Sequence, residues 1–133
     1  NEISFIQTIN SERKKVNYER IKRYAISAMK QSLKTKLPII NKIKTIENFL
    51  TECENTKKFI AHLDKKNMND LYKYVSRNSN YCVLIGPDGD FSLSELNLAI
   101  DHGFKTITLG KSRLRTETAG LVACHVINLA TQK

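Results

Sequence analysis

Leu84-Ile85-Gly86-Pro87-Asp88-Gly89-Asp90-Phe91-Ser92 and Leu109-Gly110-Lys111-Ser112-Arg113-Leu114-Arg115-Thr116-Glu117-Thr118-Ala119 are the two most informative runs of the chain. Each follows a short apolar run of strand character, Tyr81 to Ile85 and Thr106 to Leu109, and each leads into a helical pattern. Both are therefore strand-to-helix loops. In an open α/β sheet such loops leave the carboxyl ends of the strands, the edge at which small ligands bind. Glycines at 86, 89 and 110 let backbone N–H and C=O groups approach a ligand with no Cβ in between.

Taken alone, the residues leave more than one reading open. Gly-Pro and Asp-Gly are common turn dipeptides, so the first run also fits an ordinary turn. In the second run Arg113, Arg115 and Glu117 crowd a strand end and a helix start. Charges there are often solvated or capping, and Thr116 or Thr118 fits the N-cap of a helix running through Ala119 to Thr131.

Working outward, Glu2 to Thr8 alternates as a strand, and Asn17 to Lys34 carries Tyr18, Ile21, Ala25 and Met29 at helical spacing with Pro38 beyond its end. A shorter helix is expected over Ile43 to Leu50, a strand over Lys58 to Leu63 and a helix over Asn69 to Arg77. Strand 81–85, helix 92–102, strand 104–109 and helix 115–131 complete the pattern. This alternation predicts one α/β domain, a mostly parallel sheet with helices on both faces.

Composition narrows the partners. The chain has 133 residues, 41% of them hydrophobic, enough for one domain with a real core, and no apolar run long enough to span a bilayer. Lys+Arg 22 against Asp+Glu 13 gives +9, which favours a polyanion such as RNA. The basic residues cluster at Arg13-Lys14-Lys15, Arg20 to Arg23 and Lys30 to Lys36, and Arg20, Lys22, Arg23 and Lys30 are the candidates for phosphate contact. Cys53, Cys82 and Cys124 are odd in number and lack C-x-x-C spacing. They read as thiols in a reducing, cytoplasmic compartment, with neither a disulfide frame nor a metal site indicated.

The two runs together resemble the knot-loop motifs of the SPOUT methyltransferases, and specifically the family that methylates a uracil ring nitrogen, N3, in small-subunit (16S) ribosomal RNA (RsmE-like). That family's I-G-P-E-G-G-F-S, G-F, L-G and L-R-T-E-T-A are similar to Ile85 to Ser92, Gly103-Phe104, Leu109-Gly110 and Leu114 to Ala119 here, in the same order and spacing. Ala28-Met29-Lys30-Gln31-Ser32 with Pro38 resembles its A-x-x-Q-S…P helix end, and Phe59-Ile60-Ala61-His62 its first cofactor-side strand. Three positions depart from it. Asp88 replaces a glutamate, Asp90 replaces a second glycine, and Ser112 stands where a basic residue is usual, with Arg113 one place later.

The resemblance implies a SPOUT-type α/β knot, a deep trefoil in which the last helix passes beneath the preceding loops. It also implies S-adenosyl-L-methionine as cofactor, held by Ala61, His62, Ile85, Gly86, Pro87, Gly89, Leu109, Gly110, Ser112, Leu114 and Thr118. Arg115 would hold developing negative charge on the uracil or a nearby phosphate, and Glu117 would orient Arg115 or accept a proton. A first-turn carboxylate favoured by the helix dipole is the other reading of Glu117. His62 is expected to line the site through its backbone rather than act as a base. Arg113 joins the RNA-binding set. Small-subunit ribosomal RNA is the implied partner, and a homodimer through the last helix is expected because Leu121, Val122, Cys124, His125, Val126, Ile127 and Leu129 are apolar nearly all round. The family pattern further implies a methyltransferase domain over 1–133 that lacks an N-terminal RNA-binding barrel and an opening strand and helix.

Two other classes fit parts of the pattern. One is a knot-fold RNA-binding module without activity, in which Asp90 blocks the cofactor. The other is a phosphate-binding α/β enzyme, since glycine loops before helices also cradle phosphate, although no G-x-x-x-x-G-K-[ST] run is present and Asp88 and Asp90 repel anions.

Overall fold

Phe59 and Ile60 are neighbours on strand β3 (Lys57–Ala61) and are buried in different apolar clusters, one on each face of the sheet. The computed structural model describes residues 1–54, 57–64, 66 and 69–132. In it β3 is the middle strand of three, flanked by β4 (Tyr81–Leu84) and β5 (Lys105–Ile107), and both pairings are parallel. A strand buried on both faces reads as a continuous apolar run rather than an alternation, as Phe59-Ile60-Ala61 does.

Two helices cover one face. α2 (Ile46–Glu52) places Ile46 and Leu50 against Ile60 and Leu84, and α3 (Leu93–Asp101) adds Ala99, with Phe91 and Phe104 at its two ends. On the other face, α4 (Thr116–Gln132) packs Ala123, Val126 and Ile127 onto Phe59 and Ile107, beside a single 3₁₀ turn at Leu71–Lys73. Ile60 and Ile107 are 0% exposed, and fully burying a side chain of that size is worth about 1.5–3 kcal/mol. The expected helices on both faces are present.

The described pairings form two parallel sheets where one was expected. β1 (Glu2–Gln7) pairs only with β2 (Ile39–Thr45), through a crossover that contains α1 (Tyr18–Gln31). Asn17 caps α1 by accepting from the Arg20 N–H at 3.1 Å. Tyr18 reaches under the helix, packing edge-on against Phe5 and accepting from the Ile43 N–H at 2.5 Å.

Two expected helices need correction. The segment Ile43 to Leu50 is helical only from Ile46. Ile39 and Ile40 are β-branched and pair with β1, as do Asn41, Lys44 and Thr45, and Thr45 ends the strand by capping α2, its Oγ1 accepting from the Asn48 N–H at 3.3 Å. The segment Asn69 to Arg77 contains only the 3₁₀ turn. There the Thr108 N–H donates to the Asn69 carbonyl at 2.9 Å, and the Leu71 N–H donates back to Thr108 O at 3.1 Å. Those bonds hold residues 69 and 70 extended, as a bridge to the end of β5, and tertiary pairing overrides a weak helical pattern.

Candidate functional site

Three loops leave the carboxyl ends of β3, β4 and β5, and because the strands are adjacent and parallel the loops meet at one sheet edge. They enclose a cleft lined by residues 61–63 after β3, residues 85–88 and Asp90 after β4, and Ile107 to Gly110 with Ser112, Arg113, Leu114, Thr116 and Ala119 after β5. The space between them, counted out to open solvent, is about 590 Å³.

The loop after β4 is a tight turn with a rigid back. Asp90 N–H donates to Pro87 O at 2.8 Å, and Asp90 itself sits at φ +63°, in the left-handed region that Asp and Asn tolerate better than most residues. Asn10, from the segment after β1, donates through Nδ2 to the Gly89 and Asp90 carbonyls at 3.3 and 3.0 Å. A Cβ at Gly86 would come within 3.1 Å of the Phe91 ring, which would have to give way by a few tenths of an ångström to admit one. Behind the turn, buried Glu95 completes a capping box with Ser92 and accepts from the Ile9 N–H at 3.0 Å. The end of β1, the turn and α3 are thereby locked together.

In the loop after β5, Gly110 is at φ +104° with nothing within 4 Å of the place a Cβ would occupy. It lines the cleft with bare backbone. Arg113 Nη2 donates to the Asp88 carbonyl at 2.8 Å, and Thr116 donates from its N–H and its Oγ1 to Asp88 Oδ1 at 3.3 and 3.2 Å. Helix α4 begins with Arg115 in the capping position, its carbonyl accepting from the Ala119 N–H at 2.8 Å. Neither Thr116 nor Thr118 is the N-cap.

Of the residues singled out as cofactor-binding, Ala61, His62, Ile85, Gly86, Pro87, Leu109, Gly110, Ser112 and Leu114 are brought together around the cleft, and Arg113 of the RNA set joins them. Gly89 lies outside it, against the Asn10 side chain. Thr118 is exposed on α4, also outside the cleft. Arg115 and Glu117 are exposed beside the cleft mouth, and among the described residues no ion pair joins them. Arg20, Lys22, Arg23 and Lys30 are all exposed on α1, where Arg20 stacks over and donates to Tyr24.

Sequence reasoning weighed Asp88 and Asp90 only as charges that repel an anion or block the cofactor, and passed over Leu63, Ile107, Thr108, Thr116 and Ala119 as lining residues and Asn10 as a support for the turn. Asp88, Asp90 and Thr116 stood inside the quoted runs and were findable as polar residues flanking the glycines. Asn10 carries no such signal, because only the tertiary fold brings it to a loop 79 residues away.

The cleft differs in charge from the rest of the chain. Among the described residues Asp88, Asp90 and Arg113 are the Asp, Glu, Lys and Arg side chains of the lining, a formal charge of −1, on the count with histidine neutral that gives the whole chain +9. Asp90 is tied to the end of β3. Its Oδ1 accepts from the Phe91 N–H at 2.7 Å and its Oδ2 lies 3.0 Å from His62 Nδ1, along the wall. No cysteine lines the cleft; burial pushes the Cys82 thiol up, with neighbouring Cys53 adding to the rise, which leaves it a poor nucleophile. Among the described residues no three His, Cys, Asp or Glu side chains converge as metal ligands, and no helix is long and apolar enough to cross a membrane.

Comparison with known proteins agrees with this geometry. The RNA methyltransferase domain family matches residues 1–128. The ribosomal RNA small subunit methyltransferase E of Rickettsia conorii is 34% identical over 117 residues, 86% of this chain and 48% of that protein. The crystal structure of a probable rRNA-methyltransferase from Porphyromonas gingivalis superposes with a TM-score of 0.90 at 40% identity, covering 99% of this chain and 57% of the other. A putative methyltransferase from Legionella pneumophila, solved with its bound cofactor S-adenosylmethionine, gives a TM-score of 0.86 at 26% identity over 98% of this chain and 55% of its own. The chain thus spans about half the length of the relatives it matches, and with residues 1–128 inside the family's pattern it belongs to the RNA methyltransferase domain family.

Proposed function

We propose that the cleft binds S-adenosylmethionine and that the chain is the methyltransferase domain, over residues 1–133, of an enzyme acting in the cytoplasm on a uracil ring nitrogen, N3, of small-subunit ribosomal RNA. The observation that carries this reading is the convergence of three strand-end loops on one cleft whose lining is net negative in a chain of +9. A phosphate ligand would be repelled by Asp88 and Asp90, whereas a cationic cofactor is attracted to them.

The lining fits that cofactor. Ile85, Pro87, Leu109 and Leu114 offer flat apolar contact, and Gly86 and Gly110 leave backbone donors and acceptors uncovered, which suits an adenine ring with a polar edge. Bound there, S-adenosylmethionine supplies an electrophilic methyl on a sulfonium sulfur. The chain's own part is positioning and electrostatics. Arg115, exposed at the capping position of α4, stabilises negative charge as the ring N–H loses its proton, and Glu117 orients Arg115 or takes up that proton. The exposed cations of α1, Arg20, Lys22, Arg23 and Lys30, together with Arg113, meet RNA phosphates.

The same reading includes a trefoil knot that threads α4 beneath the loops and a homodimer through α4, supported by the exposure of Leu121 (70%) and Leu129 (51%) on that helix. Titration calorimetry of the chain with S-adenosylmethionine tests the core of the proposal. A one-to-one binding isotherm is expected, and heat indistinguishable from dilution would overturn it.

A further inference from the structure

Asp90 occupies a conformation that favours glycine, at φ +63°, yet carries a carboxylate on the wall of the cleft. Two donors hold it there, the Phe91 N–H at 2.7 Å on Oδ1 and His62 Nδ1 at 3.0 Å from Oδ2, the His62 ring being 25% exposed and the Asp90 side chain 35%. His62 is itself fixed, because its backbone N–H donates to the Ile107 carbonyl at 3.0 Å and ties the end of β3 to β5. The other carboxylate in the cleft is engaged differently. Asp88 Oδ1 takes two donors from Thr116, and the Arg113 guanidinium lies against the Asp88 carbonyl. Asp88 thus gives its carboxylate to the start of α4, while the Asp90 carboxylate ties the loop after β4 to His62 at the end of β3. Asp90 is therefore a carboxylate fixed on the cleft lining by the Phe91 N–H and the His62 ring.

We propose that Asp90, with His62 as its positioning residue, makes the cleft select ligands by charge, favouring the cationic sulfonium cofactor over the neutral thioether that remains after methyl transfer. This rests on the reading of the cleft as a S-adenosylmethionine site. In that reaction the S–CH₃ electron pair stays on sulfur and the positive charge leaves as the proton of the methylated N–H, so the two ligands differ by one methyl and one unit of charge. Apolar and backbone contacts to adenine and ribose are common to both ligands and do not discriminate. A partly exposed carboxylate does, by about the strength of one surface charge interaction, on the order of fivefold in Kd. The consequence is easier departure of spent cofactor from a cleft that still binds the fresh one.

The test is calorimetry of the whole chain with S-adenosylmethionine and, separately, S-adenosylhomocysteine. Wild type is expected to prefer the sulfonium. Asp90→Asn keeps the shape and an acceptor for Phe91 and should weaken sulfonium binding about fivefold, with the thioether changed less than twofold. Asp90→Gly suits φ +63° without strain, so its folding is secure, and it should lose the same preference. Raising the salt concentration should shrink the wild-type ratio and leave the ratios of the variants flat. Parallel changes for both ligands, or no change in either variant, overturn the role of Asp90 while leaving the cofactor site intact. A wild-type chain that binds neither ligand overturns the cofactor site, and this role with it.

Discussion

Thr116 Oγ1 donates to the Gly86 carbonyl oxygen at 2.8 Å, fastening the first residue of α4 to the first glycine of the loop after β4. The same hydroxyl lies 3.2 Å from Asp88 Oδ1. One side chain thereby sets the separation of two cleft walls that are 30 residues apart in sequence.

Thr116→Val tests that fastening. Valine keeps the shape and removes the donor, leaving a part-buried carbonyl without it, so a stability loss of about 1 kcal/mol is expected in urea denaturation. Cofactor affinity should fall more than that stability change alone explains, because the walls are no longer held at one spacing. Unaltered affinity in calorimetry would show that the loops are fixed by the Arg113 and Asp88 contacts alone.

Gly110 and Gly103 provide a matched pair. Both are at positive φ, +104° and +86°, but Gly110 lines the cleft while Gly103 lies beside the Lys58 side chain. Alanine at either position costs about 1–3 kcal/mol of backbone strain, read as a lowered denaturation midpoint. Only Gly110→Ala should also weaken S-adenosylmethionine binding, since only there does the new methyl group enter the ligand's space. Equal affinity losses in both variants would mean that strain, and not the cleft, is being measured.

How far the sequence revealed this site follows from where its residues lie along the chain. Ile85, Gly86, Pro87, Leu109, Gly110 and Leu114 stand in two short runs, each between an apolar strand and a helix, and local pattern alone puts them at the carboxyl edge of a sheet. β3 was legible for the same reason. What local pattern cannot express is pairing. The end of the strand Ile39–Thr45 was hidden because Ile43, Ile46 and Leu50 stand at helical spacing, and only the β1 partner decides between the two. The lost helix over Asn69 to Arg77 has the same cause in its bonds to Thr108. Asn10 and the His62–Asp90 contact are long-range meetings with no local signature.

Assembly gives a third prediction. The face of α4 bearing Ala123, Val126 and Ile127 is taken up by its own sheet, yet Leu121 and Leu129 remain exposed eight residues apart, close to one face of the helix. Light scattering at micromolar concentration should give twice the 15.2 kDa of one chain. Leu121→Glu with Leu129→Glu should return a monomer that stays folded, since neither side chain is buried in the single chain. A monomeric wild type would remove the dimer from the proposed function.

The last prediction separates charge from chemistry. Lys22 and Lys30 are exposed on α1, and if they meet phosphates, replacing both with glutamine should lower the slope of log K against log salt by about two, with no change in which base is modified. Arg115→Ala should behave differently. Arg115 is exposed outside the cleft lining, so S-adenosylmethionine affinity should hold, while methylation of small-subunit RNA falls by about 10²–10³, the usual loss when a donor to developing negative charge is removed. Mass spectrometry of small-subunit RNA from cells carrying each variant reads both effects. Because a methyl held in a loop cleft reaches only a base turned out of its stack, unpaired or partly assembled RNA should be modified faster than duplex. Full methylation in the Arg115→Ala cells would sink the catalytic assignment and leave that arginine as the capping residue of α4, where its carbonyl already accepts from the Ala119 N–H.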